Sequence, residues 1–304
     1  AQLTIKVYDQ YYAYTKTQAS AHTMAASHGY AAPIATSDSP VQYAPLGNQI
    51  WYTAASILSG YEVGDSKFST TVTSHTFSNG QGIITFESSF TSIPDEAFAD
   101  MDDLQSITLS ANITTICDVA FTDCTNLTSI TAPNVTTVGW CAFKGCGTST
   151  DGVTFNLPNL TTVVYQAFYE CKIKNLDFSN ITSIENNAFC NVYWTNPNMT
   201  IDLSNVSTME SEAFADAQGE NINKVILPIS PSRVEYQIFM GCRINNIYYN
   251  STAMPIAYNP DSEAFASMDN RDTYVHLPKN TPDEVVSYWT NNLRFYSDRI
   301  CLDL

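Results

Sequence analysis

The 304 residues are 44% hydrophobic but only 14% charged, with 13 Lys and Arg against 30 Asp and Glu, for a formal net charge of −17. Phosphate backbones and anionic bilayers are bound through clustered basic side chains, so nucleic acid and direct docking on an anionic membrane are excluded as expected partners. No apolar run approaches the ~18 residues of a spanning helix, and the opening AQLTIKVYDQ carries no basic-then-apolar leader, so an exported protein is expected here in mature form.

Residues 1–47 are rich in Ser, Ala and Tyr and match no recognised pattern. They are expected to form either a strand pairing with the segment that follows or a linker. Farther along, the chain repeats one phrase: SIPDEAFADM, TICDVAFTDC, TVGWCAFKGC, TVVYQAFYEC, SIENNAFCNV, TMESEAFADA, RVEYQIFMGC and NPDSEAFASM. Its phenylalanines are Phe98, Phe121, Phe143, Phe168, Phe189, Phe214, Phe239 and Phe265, in steps of 21 to 26 residues. Self-similarity at this period predicts a solenoid. Five positions before the ring stand Ile93, Ile116, Val138, Val163, Ile184, Met209 and Val234. Further upstream, each copy has an apolar-x-apolar unit, at 84–86, 107–109, 130–132, 155–157, 176–178, 201–203, 225–227 and 247–249, which reads as a short half-buried strand. A second extended piece follows a corner, and the Ala-Phe segment crosses back as a helical or irregular turn. One coil buries too little to hold itself, so the rings are expected to stack into a continuous core. At ~4.8 Å per coil, the parallel sheet runs roughly 35–40 Å.

The phrase LTSITAPNVTTVGWCAFKGC (127–146), with its L-x-x-I…A-F-x-x-C columns, resembles the BspA-like leucine-rich repeats of bacterial surface proteins. The resemblance covers residues 83–272. NQIWYT and SNGQGIITF are similar to the strand-rich lead-in such proteins carry, and TYVHLPKNTPDEVVSYW (273–289) resembles their closing cap. The expected architecture is an α/β solenoid, a right-handed leucine-rich-repeat array of about eight 21–26-residue coils. A β-rich N-terminal cap occupies 48–82 and a C-terminal cap 273–304. Two departures stand out: Ile238 replaces the usual Ala, and Pro260 takes the Ile position of the last copy. The family implies a secreted or surface-anchored interaction protein without implying a ligand.

Several columns invite chemical readings. Cys124, Cys146, Cys171 and Cys242 follow the ring by three residues and alternate with Met, Val and Ala, so they are expected to be buried free thiols. Asn112, Asn134, Asn159, Asn180 and Asn205 each open an N-x-(S/T) sequon, but as corner residues they are expected to bond turn backbone. Glu185, Glu210, Glu235 and Asp261 stand four residues before successive rings. They either splay into solvent or bridge a divalent cation, and without calcium-loop spacing the solvated reading is preferred. The four histidines, His22, His28, His75 and His276, sit in no zinc motif, and there is no nucleophile elbow or phosphate loop, so neither an enzyme nor a cofactor is expected.

One surface changes character along the array. The middle outward residue of each first strand runs Thr108, Thr131, Asn156, Asp177, Asp202, Ile226, Tyr248, His276, with Tyr274 on the neighbouring outward row. Ile226, Tyr248, Tyr274 and His276 are therefore the expected binding patch, unless the C-terminal cap, through Tyr288 and Trp289, folds over these rings. The expected function is extracellular recognition or adhesion, with a protein or glycan on a host or bacterial surface as partner. Its rivals are a carbohydrate-binding component of a polysaccharide-utilising system and a ligand-free scaffold.

Overall fold

The eight phenylalanines stand in one column. Each ring is stacked on the next through seven successive pairs, with centroids 5.0 to 5.7 Å apart and planes within 24° of parallel. They form the spine of a solenoid in a computed structural model that describes residues 4–8, 11–15, 44–219, 222–255, 263–265, 268 and 272–304. A single apolar core runs from Ile50 to Phe295. Pro260 and Asp261 lie outside the described residues.

Among the described residues, most coils supply two strands, and those of Phe214 and Phe239 supply three. The last is only two residues long, and seven of these, from Ser92–Ile93 to Arg233–Val234, form one wholly parallel sheet. The first strands do not form the single sheet expected from the repeat. Leu104–Leu109, Ser129–Thr131, Val153–Asn156, Lys172–Leu176, Tyr193–Trp194 and Gln218–Gly219 belong to one sheet. Thr200–Asp202, Ile222–Ile226, Ile244–Tyr248, Tyr274–Leu277 and Ile300–Leu302 form another. The break falls where Thr195–Met199 leaves the strand in a turn around Pro197, which cannot donate to a ladder.

The first predicted strand unit, 84–86, also lies elsewhere than on its neighbour. Gln81–Phe86 and Leu104–Leu109 are separated by Gln49–Ala54, which pairs antiparallel with both, and Val72–Ser78 completes this end of the sheet. Near the N-terminus, Thr4–Tyr8 pairs antiparallel with Tyr11–Thr15 as a separate hairpin.

The Ala-Phe segments are turns. Among the described residues, the single α-helix is Asp283–Asn291 in the C-terminal cap. Two residues before each ring, φ is positive, at Glu96, Val119, Cys141, Gln166, Asn187, Glu212, Gln237 and Glu263. Two residues after it, φ is again positive, at Asp100, Asp123, Gly145, Glu170, Asn191, Asp216 and Gly241. Left-handed residues cannot continue a right-handed helix and cost of order 1 kcal/mol each outside glycine. What they gain is direction, because the N–H groups at these positions and at the ring turn toward the next coil. Phe98 donates to the Ala120 carbonyl, Phe121 to Ala142, Phe143 to Ala167 and Phe168 to Ala188, at 2.7–2.8 Å. Gly145 and Gly241 follow coils with aspartate at the same position. A Cβ on either would lie 2.1 or 2.2 Å from the carboxylate of Asp123 or Asp216.

Polar columns stitch the coils further. Nδ2 of Asn134, Asn159, Asn180 and Asn205 donates to the carbonyls of Ala111, Pro133, Pro158 and Ser179, at 2.7–2.8 Å. The hydroxyl two residues on repeats the pattern, with Thr136 donating to Thr114, Thr161 to Thr136 and Thr182 to Thr161. Both polar positions of these sequons therefore have structural roles.

All eight cysteines are free, with six buried and only Cys117 and Cys301 half-exposed. The thiols of Cys124, Cys146 and Cys242 donate to the carbonyls of Phe98, Phe121 and Phe214 in the preceding coil, so this column does more than fill space. Burial pushes the Cys242 thiol up to about 12 and raises Cys146 and Cys171 well above the usual range. Near neutral pH, a thiol reagent should therefore titrate about two groups in native protein and nearly eight after unreduced denaturation. Finding disulfides would overturn the core-column argument.

Candidate functional site

Alternation along the C-terminal sheet decides which residues face solvent. Val225, Ile247 and Val275 are fully buried and paired with one another in register. Their neighbours therefore point outward, in two cross-strand rows. One row runs Asp202, Ile226, Tyr248, His276, Cys301, and the other Thr200, Lys224, Asn246, Tyr274. Ile226, Tyr248, Tyr274 and His276 thus share one face. Tyr274 is 38% exposed, and the other three are half-buried.

The patch is a network of rings, cations and hydrogen bonds. The Tyr248 and His276 rings stack at 4.3 Å and 6° from parallel, and the Lys224 ammonium sits 4.1 Å above Tyr248. Arg299 lies 4.8 Å from the Tyr274 ring centroid, donates to its hydroxyl, and approaches Asp272 at 3.9 Å. His276 Nε2 is 3.0 Å from Asn246 Oδ1, and Nδ1 is 2.9 Å from Asp303 Oδ2. Cation–π contacts hold such rings in fixed orientations while leaving their edges wet.

The cap helix has its own packing on the core. Val285 and Trp289, four residues apart on the helix Asp283–Asn291, are its buried residues. Trp289 packs on Tyr249, Phe265 and Phe295, closing the last coil from its core side. At the opposite end, the buried Tyr61 ring stacks on Phe98 at 5.3 Å and its hydroxyl donates to the Ala97 carbonyl.

The sequence places Lys224 and Asn246 on the second outward row without a role, and sequence reasoning missed Arg299, Cys301 and Asp303. The signal for the last two was the alternation Ile300-x-Leu302, which adds one more parallel strand beside Tyr274–Leu277. It also missed a second set of exposed rings: Trp140 (45% exposed), Tyr165 and Tyr236, each three residues before a ring of the stack.

The acidic column has local partners. Glu185 Oε2 accepts the Tyr165 N–H at 3.0 Å, and Glu235 Oε2 accepts both the N–H and the hydroxyl of Ser211. Arg233 pairs with Glu235 and, at 3.4 Å, with Glu210. These carboxylates tie coils together, and among the described residues they do not gather into a metal-sized cluster. Asp261, His22 and His28 lie outside the described residues. His75 lies on Val72–Ser78, 2.6 Å from the Tyr52 hydroxyl, where burial lowers its basicity. Among the described residues, no helix is long and apolar enough to cross a membrane.

Residues 66–155 and 148–270 match the BspA type leucine-rich repeat region, in six copies. No curated protein matches the chain. Among solved structures, a leucine rich cell surface protein from Faecalibacterium prausnitzii aligns over 71% of this chain and 87% of its own. The identity is 15% and the TM-score 0.28.

Proposed function

Because the chain belongs to the BspA-type leucine-rich-repeat family, we propose that it is a cell-surface recognition module whose C-terminal sheet face binds a macromolecular partner. Surface placement is what the family implies. Repeat solenoids of this kind are typically non-catalytic, offering extended faces built from many coils. The observation that carries the reading is the Ile226–Tyr248–His276 row with Tyr274 beside it, while Trp289 of the cap helix packs on the core. Rigid rings with polar tips, held by Lys224 and Arg299, are the side chains that dominate interface energetics. The partner is a protein or a glycan on a host or bacterial surface. The glycan reading draws separate support from Trp140 and Tyr165, exposed on adjacent coils at the same repeat position and suited to lie against sugar faces.

The test is a Tyr248→Ala/Tyr274→Ala variant, first checked for an unchanged melting temperature, then compared with wild type in a surface-protein pull-down and on a glycan array. Loss of a hot-spot pair should cost about 2 kcal/mol or more, near thirtyfold in affinity. Undiminished binding would place the site elsewhere, with Trp140 and Tyr165 the next rings to remove. A much lower melting temperature would make the two tyrosines structural.

A further inference from the structure

The far edge of the C-terminal sheet holds a second cluster, which shares His276 with the recognition face. His276 and Cys301 are register partners on adjacent parallel strands, and Asp303 follows two residues later. The His276 ring nitrogen, the Cys301 sulfur and an Asp303 carboxylate oxygen all lie within 4.8 Å of one another. The His276 side chain is only 13% exposed, whereas that of Asp303 is 52% exposed, so the group opens to solvent on one side.

Hydrogen bonding around the imidazole narrows what this cluster can be. Asn246 donates its Nδ2 to the Asn223 carbonyl at 3.0 Å, which fixes the other end of the amide, Oδ1, as the atom facing His276. An acceptor at 3.0 Å obliges Nε2 to carry a hydrogen. In the neutral ring, Nδ1 then has only a lone pair, and it points at both carboxylate oxygens of Asp303, at 2.9 and 3.1 Å. Two acceptors at that separation repel unless a cation joins them. A proton shared between the two would join them, and so would a metal ion that accepts both lone pairs. The sulfur beside them favours the metal. Its contact with the Arg299 carbonyl is a long 4.0 Å, and its side chain is half-exposed.

We propose that His276, Cys301 and Asp303 form a three-ligand site for a divalent transition metal, with zinc the ion their nitrogen, sulfur and oxygen donors suit best. Tetrahedral zinc places such donors roughly 3.3–3.6 Å from one another. The three donors, within 4.8 Å of one another, would adjust to that spacing around a bound ion. Asn246 is the outer partner that orients the imidazole, as carbonyl groups do for ligating histidines. Three protein ligands leave the fourth position to water or an incoming group, and binding releases the Cys301 thiol proton to solvent. The proposal does not depend on any macromolecular partner, so its test uses none.

Zinc chloride is titrated calorimetrically into the metal-free 304-residue chain, and cobalt(II) into a parallel sample read by absorption. The expected result is one saturable equivalent and a thiolate-to-cobalt charge-transfer band. Both should be lost in Cys301→Ser and in Asp303→Asn, whose exposed side chain makes misfolding no confounder. Asn246→Ala, which removes no ligand, should weaken zinc binding about 10–100-fold. The proposal is overturned if wild type shows no such band, or if the band survives Cys301→Ser and so belongs to another cysteine. It is equally overturned if the His276 nitrogens are both protonated by NMR and unmoved by zinc, leaving a plain imidazolium–carboxylate pair.

Discussion

Phe168→Ala should lower the stability of the array by about 3–5 kcal/mol, the range for removing a large buried ring and leaving its cavity. Phe168 is fully buried, stacked between Phe143 at 5.3 Å and Phe189 at 5.0 Å, with Phe155 edge-on at 5.0 Å. No neighbour can collapse into the gap cheaply. Each adjacent ring is held by its own stack and by main-chain bonds on either side. A solenoid's stability is a sum of coil and interface contributions, so weakening two mid-array interfaces at once should divide one cooperative unit into two. The readings are a lower denaturant midpoint and a biphasic unfolding curve, with hydrogen exchange accelerated on both sides of the substitution. Melting like the wild type would mean that the ring does not serve the core.

Trp289→Ala should cost a similar 3–5 kcal/mol by the same accounting but distribute it differently. Trp289 is fully buried and touches Tyr249, Phe265 and Phe295, so its loss uncovers the last ring of the stack and detaches the cap helix. Coils near an uncovered end have one neighbour fewer and fray first. Hydrogen exchange should therefore rise sharply over Ile222–Ile226, Ile244–Tyr248 and Tyr274–Leu277 while Leu104–Leu109 and Ser129–Thr131 keep their protection. Uniform loss across all coils would show that the array melts as one block, and no loss that the helix is dispensable.

What could be read from the sequence was whatever the stacking makes periodic. A ring, an alanine, an asparagine and a cysteine recur because consecutive coils offer each the same neighbours, and the structure gives each column a repeated contact. The left-handed turns were hidden. They are occupied by Glu, Val, Cys, Gln, Asn and Asp as well as Gly, so no residue type marks them; coil-to-coil hydrogen bonding, a tertiary effect, imposes the conformation. The intrusion of Gln49–Ala54 between two strands far along the chain was equally invisible, since nothing local in NQIWYT states which partners it takes. On the candidate face, period-two alternation found Ile226, Tyr248, Tyr274 and His276. Asp303 touches His276 across 27 residues, a separation that no periodicity spans.

The turn face also has a polarity. From coil to coil, its N–H groups point toward the C-terminal end and the carbonyls that receive them point back. Peptide dipoles aligned in this way add, as they do in a helix, leaving partial negative charge at the N-terminal end of the array and partial positive charge at the other. The two ends are therefore chemically distinct. A group closing the first coil must offer a donor, as the Tyr61 hydroxyl does to Ala97, and a group closing the last must offer acceptors. Tyr61 counterfeits a missing coil twice over, supplying both its ring and its donor. Two such solenoids could join end to end only head to tail, and coils could be added or deleted in the middle without disturbing either terminus. Transplanting one end onto the other would leave like groups facing each other along the entire turn face.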